Sequence, residues 1–385
     1  MPAYTGLLRS KLPHTGTTIF TVMSALAAEY GAINLGQGFP DFLCDEKLLS
    51  LTDQYARRGF NQYAPMPGLL RLRERIAEKY ETLHGMRYHP ETEITVTPGG
   101  TEALYAAITA VVQEGDEVIL FEPCYDSYAP AIELNGGVPV FLPLHGTDYH
   151  IQWDEVKQRI NKRTRMILLN SPHNPTGAVL GAADMVQLEK LTSGTDIILL
   201  SDEVYEHLLF DGRQHQSVMR YPALAERSFV VYSFGKTYHN TGWKMGYCLA
   251  PAELMKEFRK VHQYLVFSVN TPYQHAFADW MEDASRYLGL GAFYQQKRDL
   301  FLGLLGGSRF QWEPAAGSYF QFVSYKNISE EKDTDFAIRL TKEAGVASVP
   351  VSVFYHQGYD ARMLRFCFAK KDDTLKAAAE RLCRL

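Results

Sequence analysis

The stretch IILLSDEVY at residues 197–205 and the stretch FVVYSFGKT at residues 229–237 each join an apolar run to a group of polar residues. A strand with one face in water shows a polar residue at every second position, whereas a strand buried on both faces is a continuous apolar run. The two stretches therefore predict strands of a buried sheet, each with polar side chains where the strand ends.

Similar apolar runs occur on both sides of these stretches, separated by longer helical patterns. They lie at 94–97, 118–121, 138–142, 166–169 and 247–249. A helical pattern at 101–112 follows the first run. Strands that alternate with helices in this way predict an α/β protein with a parallel sheet covered on both faces.

The pattern changes after residue 258. Helical patterns at about 253–268, 273–288 and 292–305 lead to strands at 319–323, 347–349 and 364–368, with helices around 335–344 and 374–383. This order predicts a second, smaller α+β domain. We expect a large domain at 45–285, and a small domain made of 286–385 together with the N-terminal segment 1–44.

The composition excludes several functional classes. The chain has 385 residues, a net charge of −5 and 46% hydrophobic residues. A slightly acidic balance offers no basic surface for nucleic acid, and the apolar runs are too short to span a membrane. Five cysteines without a C-x-x-C pair argue against a disulfide scaffold or a metal site. We therefore expect a soluble, cytoplasmic protein that binds neither nucleic acid nor membrane.

The N-terminal segment has two interpretations. Basic residues precede an apolar stretch at 19–28, as in a signal peptide. However, Pro13 and Gly16 interrupt the approach, and the apolar residues from Ile19 onward recur at helical spacing. The sequence favours an amphipathic helix.

Familiar catalytic motifs are incomplete or missing. The GKT at 235–237 ends like a P-loop, but Val230 stands where that loop needs its first glycine. LGQGFPD at 35–41 contains G-x-G, but Asp41 replaces the third glycine and Pro40 would break the helix that should follow. H-E-x-x-H and G-x-S-x-G do not occur. NTPase, Rossmann dehydrogenase, zinc peptidase and serine hydrolase functions are therefore excluded.

Three of the polar strand ends carry distinctive chemistry. Lys236 follows an apolar strand, where desolvation would lower the pKa of its amine and make it a nucleophile; a surface lysine is the alternative. Asp202 at the end of a buried strand needs a partner, either a cationic ring nitrogen or a helix N-terminus. GGT at 99–101 opens a helix, so its N–H groups would either bind a phosphate or simply begin that helix.

Taken together, these segments resemble the class I aminotransferases, which are fold-type-I pyridoxal-phosphate enzymes. The resemblance runs from about residue 20 to residue 383, and its motifs are NSPHNPTG at 170–177, SDEVY at 201–205, SFGKT at 233–237, GWKMGY at 242–247 and LRFCF at 364–368. NLGQGFPDF at 34–42 and NQY at 61–63 resemble the kynurenine aminotransferase and glutamine transaminase K branch, which includes bacterial methionine aminotransferases. The resemblance implies a transaminase whose large domain holds a mostly parallel, seven-stranded sheet between helices.

The resemblance also implies the residues that act on the cofactor ring. Lys236 would hold pyridoxal 5'-phosphate as a Schiff base and move a proton from the substrate Cα in ping-pong half-reactions. Asp202 would keep the ring nitrogen protonated. Tyr205 and Asn174 would hydrogen-bond the phenolic oxygen, and Tyr125 would stack on the ring, although Tyr125 also fits an ordinary core position.

For the phosphate, the resemblance implies a helix N-terminus with added side-chain donors. The main-chain N–H groups of Gly100, Thr101 and Glu102 would bind it, and Ser233 and Lys244 would contribute side chains. Lys244 stands where many aminotransferases have arginine, which keeps the charge and loses only the bidentate geometry.

Substrate binding is implied at four positions. Arg365 would bind the α-carboxylate, with Asn174 and the main chain of Gly38 beside it. Tyr63 would reach the phosphate of the neighbouring subunit, so the active unit would be a homodimer with shared sites. Phe20, which also fits helix core, would line an aromatic pocket with Tyr63 and Tyr125.

An aromatic pocket without a second cation favours methionine as amino donor, because sulfur–aromatic contacts are favourable. Phenylalanine, tyrosine, histidine and kynurenine are further candidates, with a 2-oxo acid as acceptor. Two other functions are compatible with the cofactor or the fold: a cysteine-S-conjugate β-lyase, and a non-catalytic ligand-sensing protein.

Overall fold

A seven-stranded sheet dominates the computed structural model, which describes residues 6–13 and 15–385. The strands of the described chain are β1 (Ile33–Asn34), β2 (Ile94–Thr97), β3 (Glu117–Glu122), β4 (Val138–Pro143), β5 (Thr164–Asn170), β6 (Ile198–Asp202), β7 (Ser228–Ser233), β8 (Gly246–Leu249), β9 (Phe320–Ser324), β10 (Val346–Ala347), β11 (Val349–Pro350) and β12 (Met363–Cys367). The order in the large sheet is β2-β8-β7-β6-β5-β3-β4.

All neighbours in this sheet are parallel except those of β8, which runs antiparallel to β7 and to β2. The connection from β7 to β8 contains only two short helical turns, at Phe234–Thr237 and Thr241–Trp243. The chain therefore reverses at the same edge, whereas a parallel neighbour needs a longer crossover along the sheet. The predicted α/β class with a mostly parallel sheet is confirmed.

Helices cover the sheet and continue the chain beyond it. They are α1 (Ile19–Glu29), α2 (Glu46–Arg57), α3 (Leu70–His84), α4 (Gly100–Val111), α5 (Tyr128–Leu134), α6 (Trp153–Arg159), α7 (Ala182–Thr192), α8 (Pro222–Ala225), α9 (Phe234–Thr237), α10 (Ala252–Leu265), α11 (Thr271–Trp280), α12 (Ser285–Leu288), α13 (Leu290–Leu305), α14 (Asp333–Arg339) and α15 (Asp372–Leu382). The amphipathic helix predicted from Ile19 is confirmed as α1. No helix in the described ranges is long and apolar enough to cross a membrane.

The core lies on both faces of the large sheet. Along β7, Val230 and Tyr232 belong to one buried apolar cluster, and Phe229 and Val231 belong to another. Successive side chains of a strand point to opposite faces, so alternation between two clusters means that both faces are covered. This burial explains the continuous apolar runs of the sequence.

Two predicted elements differ from the structure. The helical pattern at 273–288 is split into α11 and α12, because the Asp283 side chain accepts hydrogen bonds from the main-chain N–H and the hydroxyl of Ser285 and thereby holds a turn. The strand expected at 347–349 is two short strands that pair with different neighbours, β1 and β12.

A smaller antiparallel sheet has the order β11-β12-β9. Beside it, β1 pairs in parallel with β10, with Ile33 opposite Val346. The N-terminal segment therefore pairs with the C-terminal region. This pairing supports the grouping of 1–44 with 286–385, and the domain division itself stays a prediction.

Candidate active site

Lys236 lies in α9, directly after β7, and its amine points into the protein. Its Nζ donates hydrogen bonds to the carbonyl oxygen of Gly38 at 3.1 Å and to the hydroxyl of Tyr319 at 2.8 Å. The ring centre of Tyr205 is 5.6 Å from the same nitrogen. Burial lowers the pKa of Lys236 to about 8, which increases the neutral, nucleophilic fraction of the amine near neutral pH.

Asp202 ends β6 and is 4% exposed. Its Oδ2 accepts a hydrogen bond from the Tyr128 hydroxyl at 2.6 Å, and its Oδ1 accepts one from the N–H of Val204 at 3.3 Å. Burial raises the pKa of Asp202 to about 6. The helix N-cap alternative does not apply, since residues 204–207, which follow Asp202, form a turn and not a helix. Asp202 is thus a buried carboxylate held by neutral donors.

The N-terminus of α4 forms an open group of main-chain donors. Gly99 precedes the helix with a φ of +86°, a conformation that side chains disfavour. A Cβ on Gly99 would lie 3.4 Å from the Lys244 Nζ, so that ammonium group stands at the helix N-terminus. Position 246 also leaves no room for a side chain, because a Cβ added to Gly246 would lie 2.9 Å from the carbonyl carbon of Gly99. The first N–H groups of a helix have no partner within it and attract anions.

The three residues predicted to bind the phosphate through their N–H groups are at this N-terminus: Gly100, Thr101 and Glu102. The side chain of Glu102 turns away, and its Oε1 lies 2.9 Å from Nδ1 of His262 on α10. Ser233 is the half-buried last residue of β7, immediately before α9. Within the described residues Lys244 makes no ion pair, which leaves its charge for a ligand.

Arg365 is a buried cation in β12, 1% exposed. Its Nη1 donates to Oδ1 of Asn174 at 2.8 Å, and its Nη2 donates to the carbonyl oxygen of Gly36 at 3.0 Å. The guanidinium carbon lies 3.9 Å from the ring centre of Phe320 and 5.1 Å from that of Phe20. Burial lowers the pKa of Arg365 to about 10, so the group stays charged at neutral pH.

The aromatic residues predicted for the site occupy different environments. Tyr205 is 2% exposed, and burial raises its pKa. Tyr125 is half-buried, with its ring edge-on to Tyr128 at 5.6 Å. Tyr63, by contrast, is 80% exposed and packs edge-on against Phe267 at 5.1 Å, so the structure leaves it at the surface.

Sequence reasoning missed several residues that the fold brings to these groups. Tyr319 contacts Lys236, Tyr128 contacts Asp202, and Phe354 faces the Arg365 guanidinium at 5.0 Å. Tyr128 follows Tyr125 by three residues at a helix start, which gave a weak local signal. Tyr319 and Phe354 belong to segments distant in sequence, and nothing local marks them.

The donor set fits pyridoxal phosphate. The amine of Lys236 points into the protein and donates hydrogen bonds to a carbonyl oxygen and a hydroxyl oxygen. Neither partner is a carboxylate, so the amine is not held as one half of an ion pair and can react. Asp202 is a buried carboxylate that suits a protonated ring nitrogen. The α4 N-terminus with Lys244 suits a phosphate. The buried Nε of Arg365 has no hydrogen-bond partner among the residues that the structure describes, as expected of a group that receives an anionic ligand.

Comparison with known proteins finds relatives over most of the chain. A model of the family described as aminotransferase class I and II matches residues 30–382. Methionine aminotransferase of Escherichia coli strain K12 is 51% identical over 378 residues, covering 98% of each chain. Human kynurenine–oxoglutarate transaminase 1 is 33% identical over 93% of each chain. A crystal structure of an Escherichia coli protein identified as a methionine aminotransferase has a TM-score of 0.96 at 50% identity, covering 98% of this chain and 100% of that one.

Proposed function

This chain belongs to the class I and II aminotransferases, and from that premise we propose that it moves the amino group of methionine, and of aromatic amino acids, to a 2-oxo acid. As a member of the family it is a transaminase that uses pyridoxal phosphate. The observation that supports this choice of amino donor is the set of aromatic rings around Arg365. These rings lie beside the group proposed to bind the donor's carboxylate. The relatives named for methionine and kynurenine support the same choice.

The residues proposed to hold the cofactor lie close to the ends of five strands, β2, β3, β5, β6 and β7, and to the start of β8. The N–H groups of Gly100, Thr101 and Glu102, with Lys244 and Ser233, bind the phosphate. Tyr125 would pack on the ring, and Asn174 and Tyr205 would hydrogen-bond its phenolic oxygen, as the resemblance to the family implies. These positions lie at one edge of the large sheet, where ligands of α/β proteins bind.

Bound pyridoxal phosphate supplies a ring that takes up the electron pair left when the substrate Cα–H bond breaks. Lys236 would hold the cofactor through Nζ and would act as the base that moves the proton from the substrate Cα. Its lowered pKa suits this work, because the proton-accepting form is accessible near neutral pH. Asp202 keeps a negative charge in the buried site and so favours a protonated ring nitrogen.

Arg365 orients the substrate. Its planar guanidinium matches a carboxylate, and the contacts with Asn174 and Gly36 fix its direction. Phe20 and Phe320 flank the guanidinium, so a substrate whose carboxylate is bound there has apolar rings close by. A thioether or an aromatic side chain gains from such contacts, whereas a second carboxylate beside these rings would lose hydration without gaining a charge partner from them.

We expect methionine to exceed aspartate in kcat/KM by at least about a hundredfold, since side-chain contacts of this kind contribute roughly 10- to 200-fold to specificity and an unpaired carboxylate is penalised. Aromatic amino acids should rank close to methionine. The measurement is a panel of amino donors assayed against one fixed 2-oxo acid. Alanine is the control donor, because it has the α-carboxylate and almost no side chain. A first rank for aspartate would refute the substrate proposal and leave the transaminase assignment standing.

We further propose that the enzyme is a homodimer in which Tyr63 reaches the phosphate of the neighbouring subunit. Tyr63 and Phe267 are 80% and 50% exposed, and Tyr264 and Leu265 nearby in sequence are also exposed. Adjoining exposed aromatic and aliphatic side chains are typical of a protein–protein interface. A second copy of the chain is the partner that would both cover this surface and use the Tyr63 hydroxyl.

Hybrid dimers test this sharing. Tyr63→Ala and Lys236→Ala chains should each be nearly inactive alone, and mixing them should restore activity, because each hybrid has one site with Lys236 and a neighbouring Tyr63. Subunit exchange is confirmed by mass spectrometry of labelled chains. Confirmed exchange without recovery of activity would disprove the shared site.

The Tyr63 hydroxyl can also be tested by itself. Tyr63→Phe alone should weaken cofactor retention by about 1.5–3 kcal/mol, the range for hydrogen bonds to charged groups.

A further inference from the structure

Tyr128 is a buried tyrosine at the start of α5, 2% exposed, that no reaction step described above uses. Its hydroxyl donates to Oδ2 of Asp202 at 2.6 Å. The two residues are 74 positions apart in the sequence, and the contact joins the helix after β3 to the end of β6. It is the shorter of the two hydrogen bonds to this carboxylate.

The Asp202 carboxylate is costly to keep ionised. It is buried, and the negative charge of the adjacent Glu203 opposes ionisation. Three groups favour ionisation: the positive charge of Lys236, the N–H of Val204 and the Tyr128 hydroxyl. Hydrogen bonds donated to a buried carboxylate favour its charged form and fix its orientation. Tyr125 and Tyr205 also lie within electrostatic range of Asp202, and neither donates a hydrogen bond to it in the described structure.

We propose that Tyr128 is a positioning residue whose hydroxyl holds Asp202 in the ionised form and in the orientation needed to pair with the ring nitrogen of pyridoxal phosphate. This inference rests on the role proposed above for Asp202. Tyr128 acts through Asp202 and touches neither the substrate nor the reacting atoms, so removal of its hydroxyl should change the properties of the carboxylate and little else.

The ring of Tyr128 has a separate, structural role that phenylalanine can keep. It belongs to a buried apolar cluster with Ala131 and Ile132 of the same helix and Leu168 of β5. Tyr128→Phe retains this packing and removes only the hydroxyl. The variant therefore tests the hydrogen bond without removing the packing that holds α5 against the sheet.

We expect two changes in Tyr128→Phe. The acid limb of the kcat–pH profile should move to higher pH by about 1–2 units, since losing a hydrogen bond to the charged form raises the pKa of the carboxyl and activity falls once it is protonated. The dissociation constant for pyridoxal phosphate, measured by titrating the apoprotein at pH 7, should rise at least about tenfold. Tyr325→Phe is the matched control, because Tyr325 is equally buried and its hydroxyl donates to the carbonyl of Glu331, away from the site.

A double-mutant comparison separates action through Asp202 from a general effect. In an Asp202→Asn background, Tyr128→Phe should cause no further loss of cofactor affinity. The carboxylate charge that the Tyr128 hydroxyl stabilises is absent from that background. Equal losses in both backgrounds, or an unchanged pH profile and dissociation constant in Tyr128→Phe, would overturn the inference. Absence of transamination in the wild-type enzyme would instead refute the proposed function, and the cofactor titration would still test Tyr128.

Discussion

Lys236→Ala is expected to lower the rate of transamination by at least about 10⁴-fold, because one side chain is proposed to supply both the attachment point of the cofactor and the base that moves the substrate proton. A general base alone contributes about 10²- to 10⁴-fold. In the structure its amine donates to the carbonyl of Gly38 and the hydroxyl of Tyr319 in the interior, and no other described lysine donates a hydrogen bond to either group. The variant should still fold, since within the described part of the chain the amine makes two hydrogen bonds and no ion pair.

The measurement combines kinetics with covalent labelling. Borohydride treatment of the wild-type holoenzyme, followed by peptide mass spectrometry, should place the cofactor on Lys236, and the variant should carry no label. Lys244→Ala is the control: its ammonium group lies at the α4 N-terminus, so its loss should weaken phosphate binding and leave the label on Lys236. A label on Lys244 in the wild type would contradict the assignment.

Arg365→Met is expected to lower kcat/KM for methionine by about 30- to 5000-fold, since removing one partner of a buried charge pair costs roughly 2–5 kcal/mol. The guanidinium is 1% exposed and its Nε has no partner within the described residues, so a bound carboxylate would use a group that is otherwise unsatisfied. Arg365→Lys should lose less, because lysine keeps the charge and lacks only the planar fork.

A matched substrate isolates this effect. The decarboxylated analogue of methionine is an amine that has no carboxylate for Arg365 to bind. Single-turnover rates with this amine should therefore be similar in the wild type and in Arg365→Met. Thermal unfolding of both variants checks that the contacts with Asn174 and Gly36 are not needed for folding. Equal losses with methionine and with the amine would show that Arg365 acts on structure and not on the carboxylate.

Sequence patterns predicted the large sheet closely and the C-terminal helices less closely. The strand at 94–97 has the same bounds in the structure, because a buried strand is marked by continuous apolar residues between polar ones. The prediction of one continuous helix at 273–288 was wrong, because the Asp283 side chain forms a turn with Ser285. Apolar periodicity continues through such a turn, since it depends on which residues are buried and not on whether the helix is unbroken.

The sequence by itself determined which chemical groups stand within the strands or directly after them. Lys236, Asp202 and Arg365 each lie within a few residues of an apolar run, and local patterning places such a run in a buried strand. The motifs around them also resemble those of the class I aminotransferases. These properties depend on residues close together in the chain, which is why they could be deduced without a structure.

Only the tertiary structure decided which groups meet. Lys236 contacts Tyr319 across 83 positions, and Arg365 contacts the carbonyl of Gly36 across 329. Such contacts depend on how the three sheets of the described chain and their connections pack, and the same local pattern is compatible with many partners. The protonation behaviour of the site follows from these contacts as well, because burial depth and hydrogen-bond partners set a pKa, and both are properties of the folded chain.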